Sequence, residues 1–389
     1  MAAAARRQGI GVTLATDRCH ILEDPWGDRA LPVRFEAPEE SVESLAGVRA
    51  DGIVAVADRP TLVAALAAQK LGLPWHSPEA VVKCRDKSRS RAAFEAAGLL
   101  TPWHSRASLD SAPPFPCVLK PLGLSASRGV IRANNRSEFV EAFGRIEAIL
   151  NEPEIRCLNE SWNESIQVEE YIPGREFALE GLMTGGELQV LTIFDKPDPL
   201  EGPYFEETIY VTPSRESAAA CEAMVATTRK AVRALGLSHG PMHAEMRVNG
   251  KGVYMLEVAA RPIGGLCARA LRFTGGLSLE DIIVLHAAGR MPRNLSPAAP
   301  ASGVMMIPIP RGGIYDDVDG IEEARSEPGI GDIVITAKQG QKLVPLPEGA
   351  SYLGFLFTSG DDPAFVEAAL RRAHRALRFR IHTSLDVLT

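Results

Sequence analysis

Residues 243–265, HAEMRVNGKGVYMLEVAARPIGG, decide the fold, because their pattern predicts a β-hairpin with acidic side chains on one face. On the first predicted strand His243, Glu245 and Arg247 alternate with apolar residues and therefore share one face. That face is polar, whereas the opposite face is continuously apolar. The hairpin is therefore expected to pack against a core with its apolar face and to present candidate functional side chains on its polar face.

The predicted turn is the odd-length loop Gly250-Lys251-Gly252, which pairs Asn249 with Val253 and places Glu245 opposite Glu257. Directly opposite residues have Cβ atoms about 4.5 to 5.5 Å apart, and like charges at that separation destabilise a sheet. A cation between the carboxylates would remove the repulsion. Mg²⁺ takes one or two carboxylates together with substrate phosphates, so the pair suits this ion. Two acids on a solvated outer face would show the same pattern.

Composition limits the classes of protein that the chain can represent. Its 389 residues exceed one ordinary core and predict two to four folding units of a soluble α/β protein. A net charge of -7 argues against a general binder of nucleic acid or of anionic membranes. The six cysteines form no CxxC pair, and no run of 18 apolar residues exists, so we expect a reducing cytoplasm without zinc, disulfides or a membrane span.

Periodicity predicts several consecutive units. Apolar runs at residues 9–16 and 52–57 flank a helix at 60–71, which is a βαβ rhythm. A small α+β unit follows, with a helix at 86–98, strands at 115–120 and 129–132, and a helix at 137–150. An antiparallel sheet is predicted from strands at 166–170, 176–183 and 188–194, followed by helices at 217–235 and 278–289. After a Pro-rich linker at 291–300, strands at 304–309, 332–336 and 352–358 and a helix at 363–377 predict a separate C-terminal α+β subdomain.

Two further segments could bind a nucleotide. Lys120 ends an apolar strand and precedes PLGLSASRGV, whose serines and glycines offer hydroxyl and backbone N–H donors to phosphate oxygens. The segment Glu169-Glu170-Tyr171-Ile172 follows a strand and could present backbone groups to a purine edge. Glu176 could then bind ribose hydroxyls. Each segment alone would also pass for a surface turn or a strand end.

The order of these segments, from Asp86-Lys87 to Glu257 and Arg261, resembles the ATP-grasp superfamily over residues 83–289. Within it the chain is most similar to the L-amino-acid ligase branch, the ATP-dependent carboxylate-amine ligases. The stretches EVAARPIGGLCARAL, FDKPDPLEGPYFEETIYVTPS and the C-terminal GVMMIPIP carry this closer resemblance.

The resemblance implies a mixed α/β and α+β architecture, the ATP-grasp fold. Residues 1–83 would form an N-terminal Rossmann-like domain, 84–164 the small ATP-grasp subdomain, 165–300 the large subdomain with the ATP and Mg²⁺ site, and 301–389 the C-terminal subdomain. The first strand of the N-terminal domain is missing from this pattern. Either the true start lies upstream of Met1 or the sheet of this domain begins with a gap.

The resemblance also implies roles for individual residues. Phosphate contacts are implied for Lys87 and Lys120, with Lys120 also reaching toward adenine, and for the closing loop 122–130 with Ser125, Ser127 and Gly129. The hinge against adenine would consist of Glu169, Glu170 and Ile172, and Glu176 would bind the ribose. The ligands of Mg²⁺ (or Mn²⁺) would be Glu245 and Glu257. Arg261 would stabilise the transferring phosphoryl group.

Other residues are open to two interpretations. Lys196 and Glu207 flank residues 197–206, a loop that could cover the acyl site, and Glu207 could pair with an amino group; a solvated charged loop is the alternative. His243 fits a structural histidine better than an acid or base. Arg128 and Arg269 suit surface salt bridges as well as phosphate contacts. Ala259 stands where many relatives have an Asn metal ligand, which leaves open whether one or two Mg²⁺ ions bind.

We therefore expect a ligase in which ATP phosphorylates a carboxylate and an amine then attacks the acyl phosphate to give an amide, with release of ADP and phosphate. Alternatives are an ATP-grasp carboxylase or purine-pathway-type ligase, and an ATP-binding protein without turnover. The expected partners are small molecules, a carboxylate and an amine such as amino acids, without nucleic acid or membrane. A homodimer is common in the family, while the sequence leaves the oligomeric state open. A zinc deaminase and a Walker-type NTPase are excluded, because neither PCxxC nor GxxxxGK[ST] occurs.

Overall fold

The structure is a computed structural model that describes residues 1–17, 30–292 and 294–383. The helices are α1 (Ala2–Arg7), α2 (Pro38–Leu45), α3 (Thr61–Leu71), α4 (Pro78–Arg85), α5 (Lys87–Ala96), α6 (Arg136–Leu150), α7 (Pro153–Arg156), α8 (Ala218–Leu235), α9 (Leu279–Ala287), α10 (Ile321–Arg325) and α11 (Pro363–Ala376). The strands are β1 (Ala15–Thr16), β2 (Leu31–Pro32), β3 (His104–Arg106), β4 (Cys117–Pro121), β5 (Ile131–Ala133), β6 (Ile166–Glu170), β7 (Arg175–Thr184), β8 (Glu187–Asp195), β9 (Ile209–Thr212), β10 (Gly240–Asn249), β11 (Gly252–Ala259), β12 (Arg272–Phe273), β13 (Leu277–Ser278), β14 (Ala301–Ile307), β15 (Gly313–Asp319), β16 (Ile330–Ile335), β17 (Lys342–Leu343), β18 (Gly354–Gly360) and β19 (Arg378–His382). Within the described ranges, no helix is long and apolar enough to cross a membrane.

The main sheet has the strand order β11-β10-β7-β8-β9-β14-β18-β16, and its neighbouring strands are antiparallel. Helices α4, α5 and α8 bury one face of its first half, and α11 packs on its second half. Strands β14, β18 and β16 come from the C-terminal segment, which the sequence predicts as separate. In the structure these strands extend the sheet that contains the hairpin, through the pairing of β14 with β9.

The small sheet has the order β3-β6-β4-β5 and is covered by α6. This helix begins after Asn135, whose side chain accepts the N–H of Glu138, and it buries Phe139, Phe143 and Ile146 on one stripe. Apolar residues three and four apart on a helix lie on one face, which is why the segment packs against the strands. The predicted strands at 115–120 and 129–132 and the predicted helix at 137–150 therefore pack together. Two expectations are wrong: the helix at 86–98 is α5, which packs on the main sheet, and the strand at 166–170 is β6, which joins the small sheet instead of the larger one.

The N-terminal region departs from its predicted strands. Only Ala15–Thr16 of the first apolar run forms a strand, paired in parallel with Leu31–Pro32. Residues 52–57 join no ladder in the parts of the chain that the structure describes, although Ala55 is buried against the helices. The predicted helix is confirmed as α3, which ends at Gly72 with a left-handed φ of 68°. Apolar composition signals burial, whereas a strand also requires a paired neighbour.

The hairpin of β10 and β11 has the predicted carboxylate pair but a different turn. The turn contains two residues, Gly250-Lys251, and Asn249 pairs with Gly252 rather than with Val253. A β-bulge on β11 then shifts the register by one, so that Glu245 lies opposite Glu257 as predicted. An extra residue in a bulge moves every later pair along by one position, and here it compensates for the shorter turn.

Candidate active site

A cavity of about 660 Å³ lies where the small sheet, the hairpin and the C-terminal strands meet. Binding cavities for small molecules are typically of this size and combine apolar walls with a few convergent polar groups. The structure brings most of the predicted residues to its wall, namely Lys87, Lys120, Ser125, Ser127, Glu169, Glu170, Ile172, Glu176, Glu207, Glu245, Glu257 and Arg261.

Lys120 is held by a buried ion-pair chain. Its Nζ lies 2.6 Å from Oε2 of Glu169, and Oε1 of Glu169 lies 2.8 Å from Arg91. Burial would raise the pKa of Glu169, but the attraction of Arg91 and Lys120 outweighs it and lowers this pKa to about 2. The Glu169 carboxylate therefore anchors Lys120, and only backbone groups of this residue remain for a purine. Arg91 was missed from sequence because it reads as an ordinary residue of a charged helix.

One end of the cavity is an apolar slot beside the predicted hinge. Val118, Leu200 and Phe205 pack together there, with Val130 and Tyr171 against them. Leu200 and Phe205 belong to the loop at 197–206, which the sequence predicts over the acyl site. The structure instead places these apolar side chains of the loop at the hinge end of the cavity.

The serine- and glycine-rich loop lies between the small sheet and the C-terminal segment. Lys87 Nζ donates to the carbonyls of Leu122 and Leu124, at 3.3 and 3.4 Å. Ala126 and Ser127 both have positive φ, 56° and 55°, which is uncommon outside glycine and is typical of functional loops. The N–H of Gly129, which the sequence predicts as a phosphate donor, instead donates to the carbonyl of Pro347 at 2.9 Å, and Gly129 is not part of the cavity wall.

Three carboxylates surround the ammonium of Lys196. It lies 2.8 Å from Glu176 and 3.1 Å from Glu245, and it also donates to Glu207. Burial lowers the pKa of Lys196, but the attraction of these carboxylates outweighs it and holds the pKa well above its ordinary value. Burial and the neighbouring carboxylates raise the pKa of Glu207. The three acids could hold a metal ion by their spacing alone, but the ammonium already occupies that position.

Glu176, the predicted ribose ligand, has a second cationic partner besides Lys196. Its Oε2 accepts a hydrogen bond of 2.8 Å from Nε of Arg247. The same guanidinium donates to the carbonyl of Ile172 at 2.8 Å and to that of Leu200. Arg247 therefore connects the predicted hinge, the ribose ligand and the loop at 197–206.

His243 lies between two carboxylates, as a structural histidine would. Its Nδ1 forms a hydrogen bond with the carboxylate of Glu180, and its Nε2 lies 3.2 Å from Oε1 of Glu245. Burial lowers the pKa of His243, but both carboxylates counteract this and raise it to about 9. Glu180 also accepts a hydrogen bond from the N–H of Ile263 at 3.2 Å. The pair of Glu180 and His243 therefore orients Glu245 and holds the loop after β11 in place.

Glu257 differs from the other acids of the cavity. Its carboxylate forms no hydrogen bond or ion pair with any residue in 1–17, 30–292 or 294–383, although it lines the cavity opposite Glu245. Two carboxylates on adjacent strands, one of them without a partner, fit a hard divalent ion that takes its other ligands from phosphates. Ala259 contributes no such ligand, and it is buried.

Arg261 forms a bidentate ion pair with Asp58 of the N-terminal region, with Nε–Oδ1 and Nη2–Oδ2 distances of 2.9 and 3.0 Å. Asp58 also lines the cavity, and sequence reasoning missed it. By contrast, Arg128 is paired with Glu152 and Glu154, and Arg269 lies 3.4 Å from an exposed aspartate. These two arginines form salt bridges outside the cavity wall.

The other end of the cavity is built largely by the C-terminal segment. Met306, Tyr352 and Phe355 line it together with Tyr210 and Cys267. The Tyr352 and Phe355 rings contact edge to face with centroids 6.1 Å apart. This end is apolar and aromatic. The charged side chains of the hairpin and of the cluster around Lys196, here called the charged centre, separate it from the apolar slot.

Comparisons with known proteins agree with this architecture. A family model for the ATP-grasp domain matches residues 113–270, and one for the L-amino acid ligase C-terminal domain 2 matches residues 305–382. Carnosine synthase 1 from Gallus gallus is 27% identical over an alignment of 355 residues that covers 82% of this chain but 38% of that protein. Dapdiamide A synthase from Enterobacter agglomerans is 28% identical over 152 residues, 39% of this chain and 34% of that protein. The crystal structure of an L-amino acid ligase from Bacillus licheniformis matches with a TM-score of 0.83 and 27% identity, covering 98% of this chain and 95% of that one.

Proposed function

The chain combines an ATP-grasp domain with an L-amino acid ligase C-terminal domain, and from this premise we propose that it is an ATP-dependent carboxylate-amine ligase. It joins a carboxylate to an amine as an amide or peptide, and at least one substrate is an amino acid. The observation that carries the proposal is the Glu245–Glu257 pair, which faces a cavity whose wall also carries Lys120 and Arg261.

ATP binds with its adenine in the apolar slot and its phosphates toward the hairpin. Val118, Leu200 and Phe205 supply apolar contacts for the base. Lys120 is already fixed by Glu169, and Lys87 is within reach of the phosphate loop. Glu245 and Glu257 would hold Mg²⁺, which supplies Lewis-acid neutralisation of charge on the β- and γ-phosphates.

The reaction has two bond exchanges. A carboxylate oxygen of the first substrate forms a bond to the γ-phosphorus while the bond to the β,γ-bridging oxygen breaks, and ADP leaves with the electron pair. The amine nitrogen of the second substrate then attacks the acyl carbon, the C–O bond to phosphate breaks, and the nitrogen loses a proton. Arg261 and the two lysines stabilise the transferring phosphoryl group by charge and position.

The acyl and amine sites lie between the charged centre and the aromatic end. Glu207 lines this part of the cavity, whereas Lys196 lies behind the wall, with its Nζ bonded to Glu207 and 5.1 Å from the centroid of the Tyr210 ring. Because Lys196 already has three carboxylate partners, its role is to hold them in place, and Glu207 is the acid that can pair with a substrate amino group. The hydrogen bond between Gly129 of the loop at 122–130 and Pro347 supports a closure of that loop against the C-terminal segment, which would exclude water from the acyl phosphate.

The test is a phosphate-release screen over pairs of amino acids, followed by mass spectrometry of the products. Amide formed together with ADP and phosphate supports the proposal. ATP turnover with bicarbonate or formate and no amino acid would instead identify a carboxylase or purine-pathway-type ligase, and ATP binding without any turnover would identify a non-catalytic protein.

Glu257→Gln tests the metal assignment separately. It should abolish carboxylate-dependent ADP release, because the neutral amide is a poor ligand for Mg²⁺, while the melting temperature stays within a few degrees of wild type. Glu222→Gln, an exposed position on α8, is the matched control and should keep full activity. Full activity of Glu257→Gln would remove this residue from the metal site.

A homodimer belongs to the same proposal, supported by its frequency in the family, and light scattering of the purified protein tests it. A reducing cytoplasm is the proposed compartment, supported by the free thiols at Cys84, Cys117, Cys157, Cys221 and Cys267.

A further inference from the structure

The guanidinium of Arg261 is oriented by a residue from the other end of the chain. Asp58 takes two of its N–H groups in a bidentate pair, and the carbonyl of Pro262 takes a third at 3.0 Å. A guanidinium has five N–H groups, so two remain. Because Arg261 lines the cavity, those two are the ones available to phosphoryl oxygens.

Asp58 lies in a loop that ion pairs hold rigid. The next residue, Arg59, lies 2.7 Å from Asp17 and 2.7 Å from Glu160. Glu160 is buried and also lies 3.1 Å from Arg85. The carboxylate that holds Arg261 is therefore itself fixed, which is what an orienting group requires.

Without Asp58, Arg261 would have another carboxylate to pair with. Glu257 is near enough for its charge to act on Arg261, and it has no partner among the described residues. An unpaired guanidinium in a low-dielectric cavity is strongly attracted to such a group. The Asp58 pair thus keeps Arg261 away from the acid proposed to hold Mg²⁺.

We propose that Asp58 is a positioning residue of the reaction, which aims Arg261 at the transferring phosphoryl group and keeps Glu257 free for the metal. The inference rests on the proposed function of the cavity. It makes the N-terminal region part of the active site, although that region lies outside the matched ATP-grasp segment.

The first experiment compares Asp58→Asn, Arg261→Lys and the double variant. Asp58→Asn loses the bidentate pair with Arg261. Its kcat/KM should fall about 100-fold, because a misplaced group at the reacting centre costs about this much in rate. The double variant should be no less active than Arg261→Lys alone, because Asp58 acts through Arg261. Asp361→Asn, an exposed position before α11 and away from the cavity wall, is the matched control and should keep full activity. Losses that multiply in the double variant, or an Asp58→Asn enzyme as active as wild type, overturn the proposal.

The second experiment measures binding by calorimetry and does not depend on turnover. Asp58→Asn should bind MgADP about 10-fold more weakly than wild type, because Arg261 then competes for Glu257, and should bind metal-free ADP with unchanged affinity. Equal MgADP affinity would contradict the inference. If Asp58→Asn does not fold, Asp58→Glu, which keeps the charge but shifts it, carries both experiments with intermediate losses. A wild-type protein that forms no amide would refute the proposed function, while this binding comparison would still decide the role of Asp58.

Discussion

His76 gives a quantitative prediction about stability and pH. The ring is buried at the junction between the N-terminal region and β10, where its Nδ1 accepts the N–H of Ser238 and its Nε2 donates to the carbonyl of Pro241, at 3.2 and 3.1 Å. Only the neutral ring with its proton on Nε2 satisfies both contacts. A proton on Nδ1 would face an N–H group, in a site that also contains His239 and His286.

Burial lowers the pKa of His76 from 6.5 to about 4. Because the folded pKa is below the unfolded one, the contribution of the neutral ring is complete above pH 6.5 and is lost as the pH falls toward 4. A difference of 2.5 pKa units corresponds to about 3.4 kcal/mol once the loss is complete. Between pH 7.5 and 5.5 the loss due to His76 is about 1.3 kcal/mol.

The assay is urea unfolding of wild type and His76→Gln at both pH values. The variant is expected to be less stable at pH 7.5 by about 1 to 3 kcal/mol, because a buried hydrogen bond is lost. Its free energy of unfolding should nevertheless fall by about 1.3 kcal/mol less than that of wild type on going to pH 5.5. All other groups titrate equally in both proteins, so the difference isolates His76. The same pH dependence in both would show that the ring binds protons as readily in the folded protein as in the unfolded chain, and would refute the reasoning.

Two predictions concern contacts at the cavity. Glu169→Gln leaves Lys120 and Arg91 without their shared carboxylate, so the free energy of unfolding should fall by about 3 to 5 kcal/mol and ATP should bind more weakly. The control for stability is Glu170→Gln, because Glu170 forms no ion pair with another described residue. Equal stability of the two variants in urea unfolding would count against the ion-pair chain. Glu348→Gln breaks the 2.7 Å pair with Arg145 that joins α6 to the C-terminal segment. The two side chains are 33% and 37% exposed, so the free energy of unfolding should change by less than about 1 kcal/mol. The ADP released per amide formed should nevertheless rise, because water then reaches the acyl phosphate. An unchanged ratio, measured by coupled ADP assay and mass spectrometry, would exclude a role in closure.

The opposed carboxylates could be predicted from sequence because side-chain alternation has a period of two residues, and a strand of this length carries several repeats. The turn could not, since glycines at both 250 and 252 permit turns of two or three residues. The bulge at Leu256 has no local signature, because a leucine fits a regular strand equally well. The prediction of Glu245 opposite Glu257 was therefore correct through two compensating differences.

Partners that are distant in sequence were beyond prediction. Asp58 and Arg261 are 203 residues apart, and nothing in the run before Asp58 distinguishes it from any aspartate after an apolar segment. Arg91 lies on a helix whose pattern does not indicate that its guanidinium is buried against Glu169. Likewise, the C-terminal strands were predicted as strands, but periodicity does not tell which sheet a strand joins. Long-range pairing depends on tertiary packing, which local patterns do not encode.

The continuity of the main sheet has a mechanical consequence. In the described residues β8 and β9 share a single residue pair, Asp195 with Val211, whereas the strands on either side are joined by long ladders. The sheet therefore has two halves that are joined by a short pairing between β8 and β9. Buried Asp195 stabilises this junction by accepting hydrogen bonds from Ser214 and Arg215. Lys196 directly follows β8 in the first half of the sheet. Met306 and Phe355 lie on β14 and β18 in the second half. A small rotation of the two halves of the sheet about this line would change the width of the cavity while breaking few backbone hydrogen bonds.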